Sequence, residues 1–310
     1  MNEAIGVCEC FTLRTAPVLL RGMPHTPKPF KFDLVSDLHV EYWPAPVDWD
    51  ALRTNDVVIV AGDVADTMAE TVKELERLSK AYKSVLYIDG NHEFCEKLYH
   101  GGEDNSDFDD RVRLAIAHLP NVHFLKDGVF IADGTAIIGR NGHWDYKALD
   151  GVTVEEGEAA VVSKLRLKPE DGALFAKQAR QDVDDLKEMV RDLNKDPAIH
   201  SILVVTHTMP SKGLVPKNLP NIPAFFTNLA NSEMEEVLAE DVNGKITTWV
   251  FGHWHRAKEE TLDGVHYISH PRGTPNKHKP EYKPLPLEVA PKPDTAMPPP
   301  KSTFNHQPRL

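Results

Sequence analysis

Short apolar runs recur along the chain, and each is cut off by a polar cluster. Phe32 to Val35, Asp56 to Ala61, Ser84 to Ile88, Ser201 to Thr206 and Ile246 to Phe251 are too short for helices and nearly continuous in apolar residues. That pattern predicts strands buried on both faces. Behind Asp66-Thr67, a plausible cap, Met68, Val72, Leu75, Leu78 and Tyr82 return at helical spacing before the third strand. A strand-helix-strand unit implies parallel pairing. A second helix is predicted over Phe108 to Leu119, stopped by Pro120, and a short capped one over Ser232 to Ala239. From Ala173 to Leu193 the positions Phe175, Ala179, Val183, Leu186, Val190 and Leu193 form one stripe, with Asp, Lys and Arg opposite. That is a long amphipathic helix whose stripe packs on a core. Val122 to Leu125, Val129 to Ala132, Ala136 to Gly139 and Val265 to Ser269 read as further strands. Gly142 to about Gly172 reads as irregular.

The ends lack this periodicity. Residues 1–29 contain Pro17, Pro24, Pro27 and Pro29 and read as an arm; residues 281–310 include Pro298-Pro299-Pro300 and read as a Pro-rich tail. One α/β domain is expected over residues 30–280, and no internal repeat or Gly-rich nucleotide loop interrupts it.

Composition narrows the class. A chain of 310 residues with 41% hydrophobic and 26% charged side chains has the make-up of a globular protein with one sizeable core. With 47 acidic against 35 basic residues its formal charge of -12 opposes non-specific attachment to nucleic acid or anionic membrane. Cys8, Cys10 and Cys95 make no disulfide framework and read as free thiols of a reducing compartment. No segment is long and apolar enough to span a bilayer, and the first residues make a poor signal peptide. A cytoplasmic location is expected.

The polar clusters carry the chemistry. They are Asp37-Leu38-His39, Gly62-Asp63, Gly90-Asn91-His92-Glu93, Thr206-His207 and Gly252-His253-Trp254-His255, each at the end of a strand. Taken singly they are unremarkable: a cap, two turns, a core histidine and a His pair. Together they supply Asp, Asn and His, the ligands of a two-metal hydrolytic site. Loops leaving parallel strands converge, and side chains two apart in an extended segment point the same way, so Asp37 with His39 and His253 with His255 each offer two ligands. Asp63 suits a bridge between two cations, which would share a hydroxide and hold a phosphate for in-line attack.

In this order the clusters resemble the calcineurin-like metallophosphoesterase superfamily over about Phe32 to Pro275. Ser36 to Tyr42, Val205 to Ser211 and His270-Pro271-Arg272-Gly273 are similar to a narrower group of small bacterial and phage members, which often has His at the place of Thr208 and Asn at that of His270. The resemblance implies an α/β fold of four layers, αββα, with two mixed sheets face to face and flanked by helices. It implies Asp37, His39, Asp63 and His255 around one metal and Asp63, Asn91, His207 and His253 around the other. His92 would protonate the leaving oxygen, with Glu93 orienting it by a hydrogen bond. Asn91, Arg140, His143 and Arg272 are expected on the substrate side. Two divalent cations, drawn from Mn, Fe, Zn, Ni and Co, fit the mixed ligands.

His100, His118, His123, His200, His266 and His278 lack a spacing partner, and the acidic run from Glu103 lacks the alternation of a calcium loop. The expected activity is hydrolysis of a small phosphoester, leaning to phosphodiesters. A phosphomonoesterase and a nuclease on nucleic-acid ends are the enzymatic alternatives, though the acidic balance disfavours nucleic acid. A metal-stabilised binding or scaffold module is the alternative from another class. Oligomeric state is open.

Overall fold

The structure, a computed structural model, describes residues 28–99, 105–217, 223–275 and 281–292. The arm to residue 27, with Cys8 and Cys10, and the tail from 293 lie outside the described residues.

The chain builds β1 (Phe30–Val35), α1 (Trp49–Leu52), β2 (Val57–Ala61), α2 (Met68–Ala81), β3 (Ser84–Ile88), α3 (Asn91–Tyr99), α4 (Phe108–Ile116), β4 (Val122–Phe124), β5 (Phe130–Ala132) and β6 (Thr135–Gly139). Then follow α5 (Val154–Leu165), α6 (Pro169–Lys195), β7 (Ser201–Val205), α7 (Glu235–Ala239), β8 (Ile246–Phe251), β9 (Lys258–Leu262), β10 (Val265–Ser269) and β11 (Leu285–Val289). One sheet has the order β11-β1-β2-β3-β4 and the other β5-β6-β7-β8-β10-β9. Their centres are parallel, and β11, β5 and β9 add antiparallel edges. Two mixed sheets flanked by helices make the αββα sandwich.

Alternation along the strands explains the layering. Ile137, Leu203, Val205, Val250 and Ile268 join one core with the first sheet. Their neighbours Ile138, Ile202, Val204, Trp249, Phe251 and Tyr267 join a second core with Val183, Leu186 and Val190 of α6. The stripe read from the sequence is therefore core packing. On the other side α2 buries Leu75 and Leu78, its first turn capped by the Thr67 hydroxyl, which accepts from the Glu70 amide at 3.3 Å.

Two stretches read as irregular are ordered elements. The Gly142 to Gly172 region contains α5, started by a capping box of Thr153 and Glu156. Its apolar stripe is faint because Gly157 and Val161 are its only buried residues. Gly157 is required by close packing: a Cβ there would stand 2.5 Å from the Thr227 hydroxyl of the turn Ala224–Leu229. The Pro-rich region contributes β11 despite Pro286, because an edge strand tolerates proline.

Candidate metal centre

Asp37 and His39 follow β1, Asp63 follows β2, Asn91 and His92 open α3 after β3, His207 follows β7, and His253 and His255 follow β8. Backbone hydrogen bonds tie these loops together: the Asp37 amide donates to Gly62 O at 2.9 Å, His39 to Asp63 O at 3.2 Å and Gly252 to His207 O at 2.8 Å.

The paired ligands converge by a route that an extended strand end does not describe. Asp37, His39, Asp63, His253 and His255 all have left-handed backbones, with φ of 48°, 42°, 52°, 69° and 53°. Left-handed conformation costs a non-glycine residue about 1–2 kcal/mol, and among the described residues more than half of such cases sit in this cluster. Neighbouring Gly62, at φ 81°, has no room for a side chain, since a Cβ would lie 2.5 Å from His207 Nδ1. The alternation of left-handed residues turns both members of each pair inward.

The resulting donor set is tightly spaced, with Asp37, His39, Asp63, Asn91 and His207 buried and His253 and His255 half-buried. His39 Nε2 and His255 Nε2 stand 2.9 Å apart, and His255 Nε2 is 3.3 Å from Asp37 Oδ1. Asp63 Oδ2 lies 3.8 Å from His39 Nε2 and 3.1 Å from His207 Nε2, while Asn91 Oδ1 is 3.2 Å from His207 Nε2. Ligand atoms of Asp37, His39, Asp63 and His255 form one group within 4.8 Å, and those of Asp63, His207 and His253 form another, sharing Asp63.

Outer contacts fix the ligands. His207 Nδ1 meets Ala61 O at 2.9 Å, which directs Nε2 toward Asp63. The Ser36 hydroxyl donates to Asp37 Oδ2 at 2.6 Å, and the His253 amide donates to Asp37 Oδ1 at 2.8 Å. Trp144 stacks on His253 with ring centroids 5.8 Å apart.

The electrostatics of the protein alone demand positive charge. Burial opposes ionisation of Asp63, yet His207 and His92 outweigh it and hold its carboxyl well below the usual range. Asp37 is likewise lowered, burial being overcome by His255. Burial works against a proton on His207, but Asp63 raises it to about 10, whereas burial and the neighbouring His207 push His253 down to about 3. Two buried carboxylates with convergent imidazoles of which one keeps a proton and one sheds it are groups that divalent cations would neutralise together. The residues fit a two-metal centre.

His92 stands beside the cluster. Its ring is partly exposed, Nε2 lies 3.9 Å from Asp63 Oδ2, and Nδ1 meets Asp66 Oδ1 at 2.6 Å. Burial disfavours its charge, but Asp63 and Asp66 raise it to about 9. The Tyr42 hydroxyl donates to Asp66 Oδ2 at 2.9 Å. Asp66 lies in the same loop three residues after Asp63, and reading it as part of the α2 cap concealed its role.

Four expected contacts fall elsewhere. Glu93 makes no hydrogen bond to the His92 ring; it accepts from the amides of Val64 at 2.6 Å and Gly90 at 2.9 Å and braces the loops. Both residues lie in the first turn of α3, where successive side chains diverge by about 100°, so adjacency in sequence separates them. Burial and the charge of Asp63 raise Glu93 to about 8. Arg140 is spent on Asp185 at 2.9 Å and Gly139 O at 2.8 Å. His143 is wholly buried, with Nδ1 on Asp182 at 2.8 Å. Arg272 packs on Trp43 at 4.2 Å and lines a separate cavity with Pro44 and Tyr282. Of the expected substrate contacts, Asn91 alone lines the cavity at the cluster.

That cavity, of about 910 Å³, has Asp63, Asn91, His92, His253 and His255 on its floor. Its wall comes from the end of α5, the Ala224–Leu229 turn and Trp254 with Arg256. The chemistry of the floor was legible in the strand-end clusters; the wall had no such signal.

Comparisons with known proteins agree with this geometry. The family model described as calcineurin-like phosphoesterase matches residues 30–257. An uncharacterised protein of Acanthamoeba polyphaga mimivirus is similar, at 21% identity over 257 residues, covering 74% of this chain and 86% of the relative. Among solved structures the chain is similar in fold to a phosphopantetheinyl hydrolase from Mycobacterium tuberculosis, with a TM-score of 0.64 and 19% identity over 86% of this chain and 98% of the other.

Proposed function

The chain belongs to the calcineurin-like phosphoesterase family and is a metal-dependent phosphoric ester hydrolase, and we propose that it cleaves small phosphodiesters with His92 as the general acid. The observation that carries this reading is the position of His92. It lines the cavity beside Asp63, with Nδ1 on a carboxylate and Nε2 toward the cluster.

Asp37, His39, Asp63 and His255 would hold one divalent cation, and Asp63, Asn91, His207 and His253 the other. When bound, such cations supply positive charge against the phosphate and lower the pKa of water. The protein's own part is orientation. Asp66 fixes the His92 ring and favours its charged form, so that Nε2 carries a proton toward a departing oxygen. The α3 amide of His92 donates to Asp63 Oδ1 at 2.9 Å, which keeps acid and cluster in register. Hydrolysis breaks one P–O bond: the water oxygen adds to phosphorus and gives up a proton to solvent, and the organic group leaves with the His92 proton, which solvent then restores.

The preference for diesters rests on space. A cavity of about 910 Å³ with Leu165, Phe225, Phe226 and Trp254 in its wall holds organic groups well beyond one phosphate. Metal-stripped protein re-supplied with Mn, Ni, Zn or Mg is expected to hydrolyse bis-p-nitrophenyl phosphate faster than p-nitrophenyl phosphate. The reverse order would make the enzyme a phosphomonoesterase, and no hydrolysis with any metal would favour a binding module.

A further inference from the structure

Behind the metal centre, His39 faces a carboxylate that the protein otherwise leaves unsatisfied. Glu41 lies in the single helical turn Val40–Tyr42 that follows the left-handed backbone of His39, and the turn folds its side chain back on the ring. Glu41 Oε1 stands 3.6 Å from His39 Nδ1, with the two side chains only 13% and 1% exposed. Neither Nδ1 nor either Glu41 oxygen has a hydrogen-bond partner among the described residues, and all three atoms are closed to solvent. Asp66 is the other carboxylate at hand, but it already accepts from His92 and Tyr42 and is no donor to Glu41. A carboxylate buried in that condition costs folding free energy. A role in the site accounts for its presence.

The metal-facing atom of His39 is Nε2, 2.9 Å from His255 Nε2 and 3.8 Å from Asp63 Oδ2. A cation takes an imidazole nitrogen through its lone pair, so the one proton of the neutral ring must then sit on Nδ1. Away from water, that N–H needs an acceptor in the protein. His207 shows one solution in the same centre, its Nδ1 meeting Ala61 O at 2.9 Å. For His39 the acceptor facing Nδ1 is Glu41 Oε1, and a small turn of ring or carboxylate closes the gap to hydrogen-bond length. We propose that Glu41 is a positioning residue of the metal centre, accepting the Nδ1 proton of His39 and so keeping Nε2 unprotonated and aimed at the cation. The inference rests on the hydrolase reading above and deepens it. His39 belongs to the ligand group of Asp37, Asp63 and His255 and not to that of Asp63, His207 and His253. Loss of Glu41 therefore acts on one cation and spares the other.

The test is calorimetric titration of the metal-stripped full chain with manganese, beside hydrolysis of bis-p-nitrophenyl phosphate. The parent is expected to bind two ions. Glu41→Gln keeps an acceptor oxygen without the charge, and Glu41→Leu removes both. Affinity at one site should fall roughly 10- to 100-fold, further in the Leu variant than in the Gln variant, while the other site stays within about twofold of the parent. His39→Ala should weaken the same site, and adding Glu41→Leu to it should weaken that site little more, because nothing is left to position. Stability without metal separates this role from a structural one: the Leu variant should unfold in urea no earlier than the parent, having lost a buried carboxylate that had no donor. Should Glu41→Leu fail to fold, Glu41→Gln, alone and with His39→Ala, carries the same comparison. Parent-like affinity at both sites in the Glu41 variants, or losses that add in full in the double variant, would overturn the proposal and leave the hydrolase reading standing. A parent that binds no cation would overturn both.

Discussion

Two histidine-carboxylate pairs of nearly the same length serve opposite ends in this protein. His92 Nδ1 meets Asp66 at 2.6 Å and His143 Nδ1 meets Asp182 at 2.8 Å. The second pair is sealed: His143 lies between Phe94, at 4.5 Å, and Phe175, at 6.1 Å, and Asp182 also accepts from the Gly142 and His143 amides at 2.9 and 3.1 Å. Burial disfavours the charge of Asp182, but His143 and Lys126 lower its pKa all the same, so the pair is an internal tie between α6 and the loop after β6. The first pair opens on the cavity, with the free nitrogen of His92 toward Asp63. A carboxylate behind a histidine therefore says little about function by itself. What the other nitrogen faces decides.

The comparison breaks first if the cavity floor is not a metal site. Asp63→Asn removes the carboxylate shared by both ligand groups, and metal content and activity are expected to disappear together. The loss should be roughly a thousandfold or more, since charge neutralisation by the cations is worth several kcal/mol. Metal analysis beside diester hydrolysis reads it, and full activity without bound metal would remove the basis of the contrast.

His92→Ala tests the open pair directly. Bound metal should remain while turnover falls roughly 100- to 10,000-fold, least for esters with a good leaving group. Parent-like turnover of a poor leaving group would show that His92 donates no proton.

The same contrast explains what could be read from the sequence. Strand-end clusters announce themselves because a metal centre needs several ligand types at once, and the parallel strands of both sheets deliver them to one edge. Asp37, His39, Asp63, Asn91, His92, His207, His253 and His255 converge for that reason. Partnership between side chains was not legible. Glu93 is next to His92 in sequence yet bonds Val64 and Gly90, and Asp66, which does hold His92, looks like part of a helix cap. Nor was the wall: α5 hides its periodicity behind Gly157, and Phe226, Asn228, Lys164 and Arg256 come from separate stretches of sequence that share no motif. The edges β4 and β5 were read, but β11 and β9 were missed for a related reason, Pro286 in the one and the charged Lys258–Leu262 run in the other being what edges permit and interiors exclude.

The sealed pair gives the complementary result. His143→Leu leaves Asp182 buried without its imidazole partner, and breaking such a pair costs ~3 kcal/mol. Urea unfolding should register that loss, whereas turnover per folded, metal-loaded molecule should stay within about twofold of the parent. A fall in turnover matching that of His92→Ala would place His143 in the chemistry and erase the distinction between the two pairs.

The smallest effect is the sharpest, because it changes a pH profile and not merely a rate. In the protein alone, burial lowers the His92 pKa, but Asp63 and the Asp66 hydrogen bond outweigh it and hold it up at about 9. Its acid form is thus populated below that value and lost as pH rises through it, so activity should decline on the alkaline side. Bound cations would repel the imidazolium and move this limb to lower pH, with the Asp66 contribution still present. Asp66→Asn removes a negative charge while keeping a group that can still contact the ring, and the limb should move to lower pH. Activity at neutral pH should drop about tenfold, the lower end for losing a carboxylate behind a functional histidine. The linked stability has the same sign: the parent holds the benefit of a raised His92 below its ordinary pKa and gives it up between that value and about 9, and the variant should give up less. A limb that stays in place in Asp66→Asn would mean that another group controls it, and the open pair would then be no more than the sealed one, a structural contact.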